Sequence, residues 1–104
     1  MRTLQLTLKK KWFCLIANGE KVFEYREYKP HWISRLLCKN GIRCYDEIRF
    51  TNGYGKNKPF VRAKFKGAAI IKGKYCSPDN GETLEAEQKY FVIGIGKVLQ
   101  VSGV

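Results

Sequence analysis

The chain reads as an α+β domain: a small mixed β-barrel of about five to six strands with two short helices. Three observations predict it. Apolar and polar residues alternate through several separate segments. Helical spacing occurs only in the first half of the chain. The late strands are long and carry glycines in their interiors, as strands do when a small sheet curls toward closure.

Each element follows from its local pattern. Leu4, Leu6 and Leu8 alternate with Thr3, Gln5 and Thr7, a half-buried strand. Lys9 to Asn18 has helical spacing, with Leu8, Trp12, Leu15 and Ile16 on the expected core stripe. Asn18-Gly19 supplies the stop, because glycine takes the left-handed C-terminal conformation without steric cost. Lys9, Lys10 and Lys11 oppose the helix dipole. They are read either as a solvated basic end or as a patch kept for polyanions. Val22 to Glu27 is a strand. Pro30 suits the first turn of a second helix, whose apolar face is Trp32, Ile33, Leu36 and Leu37 and which Lys39-Asn40-Gly41 ends.

Asp46 to Thr51 is a strand with Ile48 and Phe50 inward and Glu47 and Arg49 outward. Asn52-Gly53-Tyr54-Gly55 is a turn or loop. Phe60 to Ile71 is a long strand with Val61, Ala63 and Phe65 on one face and Arg62, Lys64 and Lys66 on the other. Gly67 marks a bulge in it. Tyr75 to Glu87 is an exposed loop around Pro78-Asp79-Asn80-Gly81. Tyr90 to Val101 is the last strand, central in the sheet, with Gly94 and Gly96 permitting curvature.

The 104 residues are most simply one domain, 1–104. Twenty Lys and Arg against nine Asp and Glu give a formal charge of +11, which favours phosphate-bearing partners over neutral ones. No apolar run is long enough to span a bilayer, so no membrane partner is expected. Cys14, Cys38, Cys44 and Cys76 lack zinc-knuckle spacing, and His31 is the single histidine. The cysteines are read as reduced, mostly packing residues of a cytoplasmic protein, with no metal and no cofactor. Oligomeric state is not legible.

The segment Gly19-Glu20-Lys21-Val22-Phe23-Glu24-Tyr25-Arg26 concentrates the chemistry. On a strand, Glu24 and Arg26 share one side and Phe23 and Tyr25 the other. Its spacing, Gly19-x-Lys21-x-x-Glu24-x-Arg26 after a strand and a helix, resembles the ASCH domain of the PUA-like superfamily of small β-barrels. Tyr28-Lys29-Pro30-x-Trp32 resembles the version in small phage and prophage proteins, and Phe50 to Gly55 and Tyr90 to Lys97 extend the likeness in order. The resemblance implies RNA or nucleotide binding in a cleft over the motif. It also implies an alternative, a hydrolase of modified nucleosides similar to an acetylcytidine amidohydrolase, or a ribonuclease. Lys21 matches the lysine proposed as catalytic in that amidohydrolase. Glu24 stands where the amidohydrolase has threonine, and its downstream glutamate has no secure match among Glu82, Glu85 and Glu87.

Read from the residues alone, Lys21, Glu24 and Arg26 form an ion-pair network that presents donors to a ligand, or else a structural salt bridge closing a hairpin. Arg26 can grip a phosphate or a base edge in bidentate fashion. Glu24 can accept from an exocyclic amine and, with Lys21, is the candidate acid/base if chemistry occurs. Tyr28 and Tyr54 are candidate stacking residues, whereas core packing is favoured for Tyr25 and Trp32. Asn52 can read a base edge, with Gly53 and Tyr54 completing a lid; turn formation is its plain alternative. Lys56 and Lys58 either extend a basic rim or are solvated. The expected ligand-binding set is Gly19, Lys21, Glu24, Arg26, Tyr28, Asn52, Gly53 and Tyr54.

Overall fold

The structure, a computed structural model, describes residues 1–76 and 83–103. Its elements run β1 (Thr3–Leu8), α1 (Lys10–Ala17), β2 (Phe23–Glu27), α2 (Pro30–Leu36), β3 (Leu37–Cys38), β4 (Gly41–Ile42), β5 (Glu47–Asn52), β6 (Phe60–Lys72), a 3-10 turn (Gly73–Tyr75) and β7 (Lys89–Ser102). Five strands form one mixed sheet in the order β1-β5-β6-β7-β2, and β3 and β4 form a separate two-stranded ladder. Only the β1–β5 pair of the main sheet is parallel, with Thr3 opposite Glu47 and Leu8 opposite Asn52. The result is an α+β domain whose sheet curls into a half-barrel, with two helices.

The curl has identifiable causes. β6 and β7 are 13 and 14 residues long, and their register shifts between Arg62 and Ala63, between Ala63 and Phe65, and between Phe65 and Ala68. Each irregularity bends the ribbon and increases its twist. Gly67, at φ +99°, sits in the last of them, a conformation that a residue with a Cβ rarely adopts. Gly94 and Gly96 serve close approach: a Cβ on either would fall 3.0–3.1 Å from the side chain of Lys66. β7 is indeed an inner strand, flanked by β6 and β2.

The core lies inside the curl. Leu4, Leu6 and Leu8 from β1, Ile48 and Phe50 from β5, Val61 and Ala63 from β6, and Phe91, Ile93 and Ile95 from β7 are buried there, closed over by Phe13 and Ile16 of α1 and by Leu36 of α2. Burying each of the larger of these side chains contributes about 1.5–3 kcal/mol before entropy.

Some sequence expectations change. The buried stripe of α1 is Phe13 and Ile16, while Trp12 and Leu15 are only half-buried. Lys39-Asn40-Gly41 does not end α2; that helix stops at Leu36, and the tripeptide turns the β3–β4 ladder. Cys38 and Cys44 are exposed rather than packed, and Cys14 and Cys76 are partly buried. Desolvation raises the Cys76 thiol above its ordinary pKa. Of the loop expected over Tyr75 to Glu87, residues 77–82 lie outside the described residues.

Glu47 also departs from expectation. It points to the outer face, opposite Ile48, yet is 4 % exposed. Arg62 covers it: Nη2 lies 2.7 Å from Oε2 and Nε donates to both oxygens at 3.1 and 3.3 Å. Gln100 Oε1 holds the other end of the guanidinium, accepting from Nη1 at 2.8 Å. One side-chain clamp therefore spans β5, β6 and β7. Arg62→Met keeps the aliphatic stem and strands the carboxylate, so unfolding free energy is expected to fall by about 1–3 kcal/mol. Urea denaturation reads this, and an unchanged midpoint would show that the clamp holds nothing.

Candidate functional site

Gly19 is the pivot of the charged segment. Asn18 closes α1 and Gly19 takes φ +78°. The Gly19 N–H donates to the Ile16 carbonyl at 3.0 Å and the Glu20 N–H to the Leu15 carbonyl at 2.9 Å. This pair of bonds is the closure that a left-handed residue after a helix makes available. The Lys21 N–H reaches the same Leu15 carbonyl at 3.1 Å. The chain reverses within a few residues, and Lys21 is set down beside α1.

Alternation then sorts β2. Glu24 is opposite Ile93 and Arg26 opposite Phe91, so both face the inside of the curl; Phe23 and Tyr25, opposite Gly94 and Val92, face outward. The charges of the motif thus point toward the core. Lys21 is 5 % exposed and Glu24 2 %. Lys21 Nζ lies 3.9 Å and Arg26 Nη1 3.1 Å from Glu24 Oε1, and the Tyr25 N–H donates to that oxygen at 2.9 Å. Arg26 also donates from Nη1 to the Tyr25 carbonyl at 3.0 Å and from Nη2 to the Thr7 carbonyl at 3.2 Å. That last bond crosses from one edge strand of the sheet, β2, to the other, β1.

Aromatic rings wall the cluster. Lys21 Nζ lies 5.2 Å from the centre of the Trp12 ring and 5.3 Å from that of Tyr25. Arg26 Cζ lies 5.4 Å from the centre of the Trp32 ring. Lys11 adds a second ammonium 4.7 Å from Trp12. Each contact is a cation over a π face, and those of Lys21 and Arg26 are stronger than at an exposed site because water is partly excluded. Trp12 is the residue that sequence reasoning missed. Helical spacing assigns it to the core stripe, and it does pack against the core. It also stands between Lys11 of α1 and Lys21 of the following turn, which only the chain reversal at Gly19 brings about.

The remaining predicted residues divide. The Tyr28 ring packs 5.2 Å from Phe91, the residue opposite Arg26, so it borders the cluster from the core side, under Lys89. The Gly53 N–H donates to the Leu8 carbonyl at 3.1 Å, one residue along β1 from the carbonyl that Arg26 grips. The 52–54 loop and Arg26 thus each bond a carbonyl near the end of β1, successive carbonyls that point to opposite sides of the strand. Tyr54 stands in solvent, 86 % exposed. Asn52 instead lines a cleft of about 330 Å³ with Lys10, Phe13, Cys14, Pro59 and Gly103, whose walls include none of Lys21, Glu24 and Arg26. Lys56 and Lys58 are exposed. His31 lies on the surface of α2, edge-on to Trp32, with Arg35 Nη1 3.2 Å from its Nδ1. Just beyond the cluster Lys29 pairs with Glu27, and their hydrogen bond lowers the Glu27 pKa and raises that of Lys29. Among the described residues no group of three or more His, Cys, Asp or Glu side chains converges as a metal site, and no helix is long and apolar enough to cross a membrane.

No protein-family model, curated protein or solved structure matches the chain.

The geometry makes Glu24 the shared counter-ion of a buried cluster. Glu24→Gln keeps the shape and removes the charge that two cations face. Loss of one member of a buried ionic set costs about 3–5 kcal/mol, so unfolding free energy is expected to drop by that order. Glu20→Gln, on the exposed turn next to the motif, is expected to change it by less than about 0.5 kcal/mol. Chemical denaturation of the two variants side by side checks the contrast.

Proposed function

We propose that this is a PUA-like domain of the ASCH type that binds RNA or a nucleotide at the Lys21–Glu24–Arg26 cluster, in the cytoplasm. The observation that carries the reading is the state of Arg26. Its side chain is 19 % exposed, against 4 % for Lys21 and 2 % for Glu24. Glu24 and the carbonyls of Tyr25 and Thr7 hold the guanidinium in place, and Trp32 lies against it. A fork-shaped cation fixed before the ligand arrives loses little entropy on binding. Its remaining N–H groups suit a phosphate or the acceptor edge of a base. Half-buried Trp32 beside it, and Trp12 beside Lys21, supply apolar surface for the base itself. Lys21 and Glu24 act in this reading by orienting Arg26.

The same pair supports a second reading, hydrolysis of an acylated nucleoside. A lysine and a carboxylate 3.9 Å apart behind an aromatic screen are groups that can take a proton from a water attacking the acyl carbon and give it to the leaving amine as the C–N bond breaks.

The two tryptophans make binding directly visible. Each nucleoside 5′-monophosphate is titrated against intrinsic fluorescence. Saturable quenching is expected for at least one, weakened about tenfold or more in Arg26→Lys, which keeps the charge and loses the fork. Absence of quenching with all of them, or equal affinity in the variant, overturns the binding reading. Acetate release from N4-acetylcytidine, lost in Lys21→Met, would move the assignment to the hydrolase.

A further inference from the structure

The outward face of the sheet carries a second chemistry. On β6, Lys64 and Lys66 are exposed and project to the same side as Gly94 and Gly96 of β7, since a Cβ on Gly96 would meet both lysine side chains at 3.0–3.1 Å. Arg49 on β5 lies opposite Arg62 on β6, and Lys97 is exposed at the irregularity of β7. Among the described residues none of Arg49, Lys64, Lys66 and Lys97 has a carboxylate within ion-pair distance. Of the acids on this face, Glu47 is buried under Arg62 and Glu27, which shares the outward side of β2 with Phe23, pairs with Lys29. The face is therefore cationic, with these two carboxylates already neutralised.

Beside the lysines is an aromatic ring outside the hydrophobic core. Phe23 of β2 lies directly opposite Gly94 and is 49 % exposed. Gly94 has no side chain of its own, and the stem of Lys66 closes in on it from β6, where a Cβ on Gly94 would fall 3.1 Å from Lys66 Cβ, so ring and lysine flank one glycine. Alternate residues on a strand stand roughly 7 Å apart, a spacing that lets Lys64 and Lys66 meet separate phosphates of one strand. Charge alone would fit an acidic protein equally well. The exposed ring flanked by lysines favours a ligand with both phosphates and flat bases, which is how sheet faces hold single-stranded RNA.

We infer that the outer face of the β6–β7–β2 ribbon binds single-stranded RNA, with Lys64 and Lys66 on successive phosphates and Phe23 stacking on a base. The ligand class rests on the proposed function; the surface is on the opposite side of the sheet from Glu24 and Arg26.

The test is fluorescence anisotropy of a short labelled oligouridine with the full chain, between about 50 and 200 mM salt. Wild type is expected to bind with a steep salt dependence. Lys64→Ala with Lys66→Ala is expected to bind more weakly, with a log–log salt slope shallower by about 1.4, since each phosphate contact on a single strand contributes about 0.7. Phe23→Ala is expected to weaken binding roughly tenfold at unchanged slope, the signature of a lost stack. All three side chains are exposed, and a thermal melt of each variant establishes that it is folded. An unchanged slope in the double variant overturns the inference, as does wild-type protein that binds polyglutamate but not oligouridine. Nucleotide quenching of the tryptophans without oligouridine binding removes this surface and leaves the Arg26 cluster. A slope that falls in the double variant without any nucleotide quenching does the reverse.

Discussion

The guanidinium of Arg26 joins the two edges of the sheet, and much of the surrounding chemistry follows from where it is placed. A curled sheet of five strands keeps two edge strands, each with backbone groups that neighbouring strands leave unpaired. Here the Thr7 carbonyl on β1 is satisfied by a side chain from β2 rather than by another strand. A cation carried to the inner face loses much of its hydration and needs a counter-ion. Glu24, two residues earlier on the same face, supplies it. A carboxylate buried that deeply gains from further donors, and the Tyr25 N–H and the Lys21 ammonium stand on the same oxygen. The rings of Trp12, Tyr25 and Trp32 then screen the cluster without offering competing hydrogen bonds at their faces.

The distribution of the acids explains how so basic a chain stays folded. Glu24 and Glu47 are buried against arginines, and Glu27 and Glu87 are matched to lysines at the rim. Carboxylates are spent on fixing structure, while many lysines are left in solvent. Like charges on a flexible, exposed surface repel weakly because water and salt screen them, so the folded state tolerates them. The same charges brought next to a polyanion release counter-ions, and there the imbalance becomes favourable.

The extent to which this architecture was legible in the sequence depends on the range of each interaction. The leucine alternation of β1, the helix stop at Gly19 and the bulge at Gly67 are local, and each is where its pattern placed it. That Glu24 and Arg26 share a face follows from strand alternation; that this face is the inner one does not, and Tyr25, expected in core packing, stands on the outward face. What escaped is long-range. Glu47 was assigned outward correctly, but its burial needs Arg62 and Gln100, which only register across three strands delivers. Trp12 satisfies the helical stripe and so gives no sign that Lys21 will return to it. Lys39-Asn40-Gly41 is a turn signal in either setting, and pairing of Leu37 with Ile42 decides which. Asn52 opens away from Glu24 and Arg26 because β5 ends beside Pro59 and the last residues of β7, a neighbourhood set by tertiary contacts.

The two faces of the sheet put the same elementary charge to different physical use. Arg26 works where water is scarce: its field is little screened, its orientation is fixed by three partners, and any ligand it holds must fit between rings. Lys64 and Lys66 work in solvent, where attraction decays over about 8–10 Å at ordinary ionic strength and where each ammonium is mobile on its stem. In the proposed reading the first arrangement selects, because a ligand that fails to satisfy a desolvated guanidinium costs more than it returns. In the same reading the second gathers, because exposed cations accept a phosphate chain in many registers at similar energy. Gly94 belongs to both. It lets Lys66 lie close over β7 on the outside, and it follows Ile93, which packs opposite Glu24 on the inside. A single strand of alternating Ile and Gly therefore holds the ordered and the loose charges on opposite sides of one backbone.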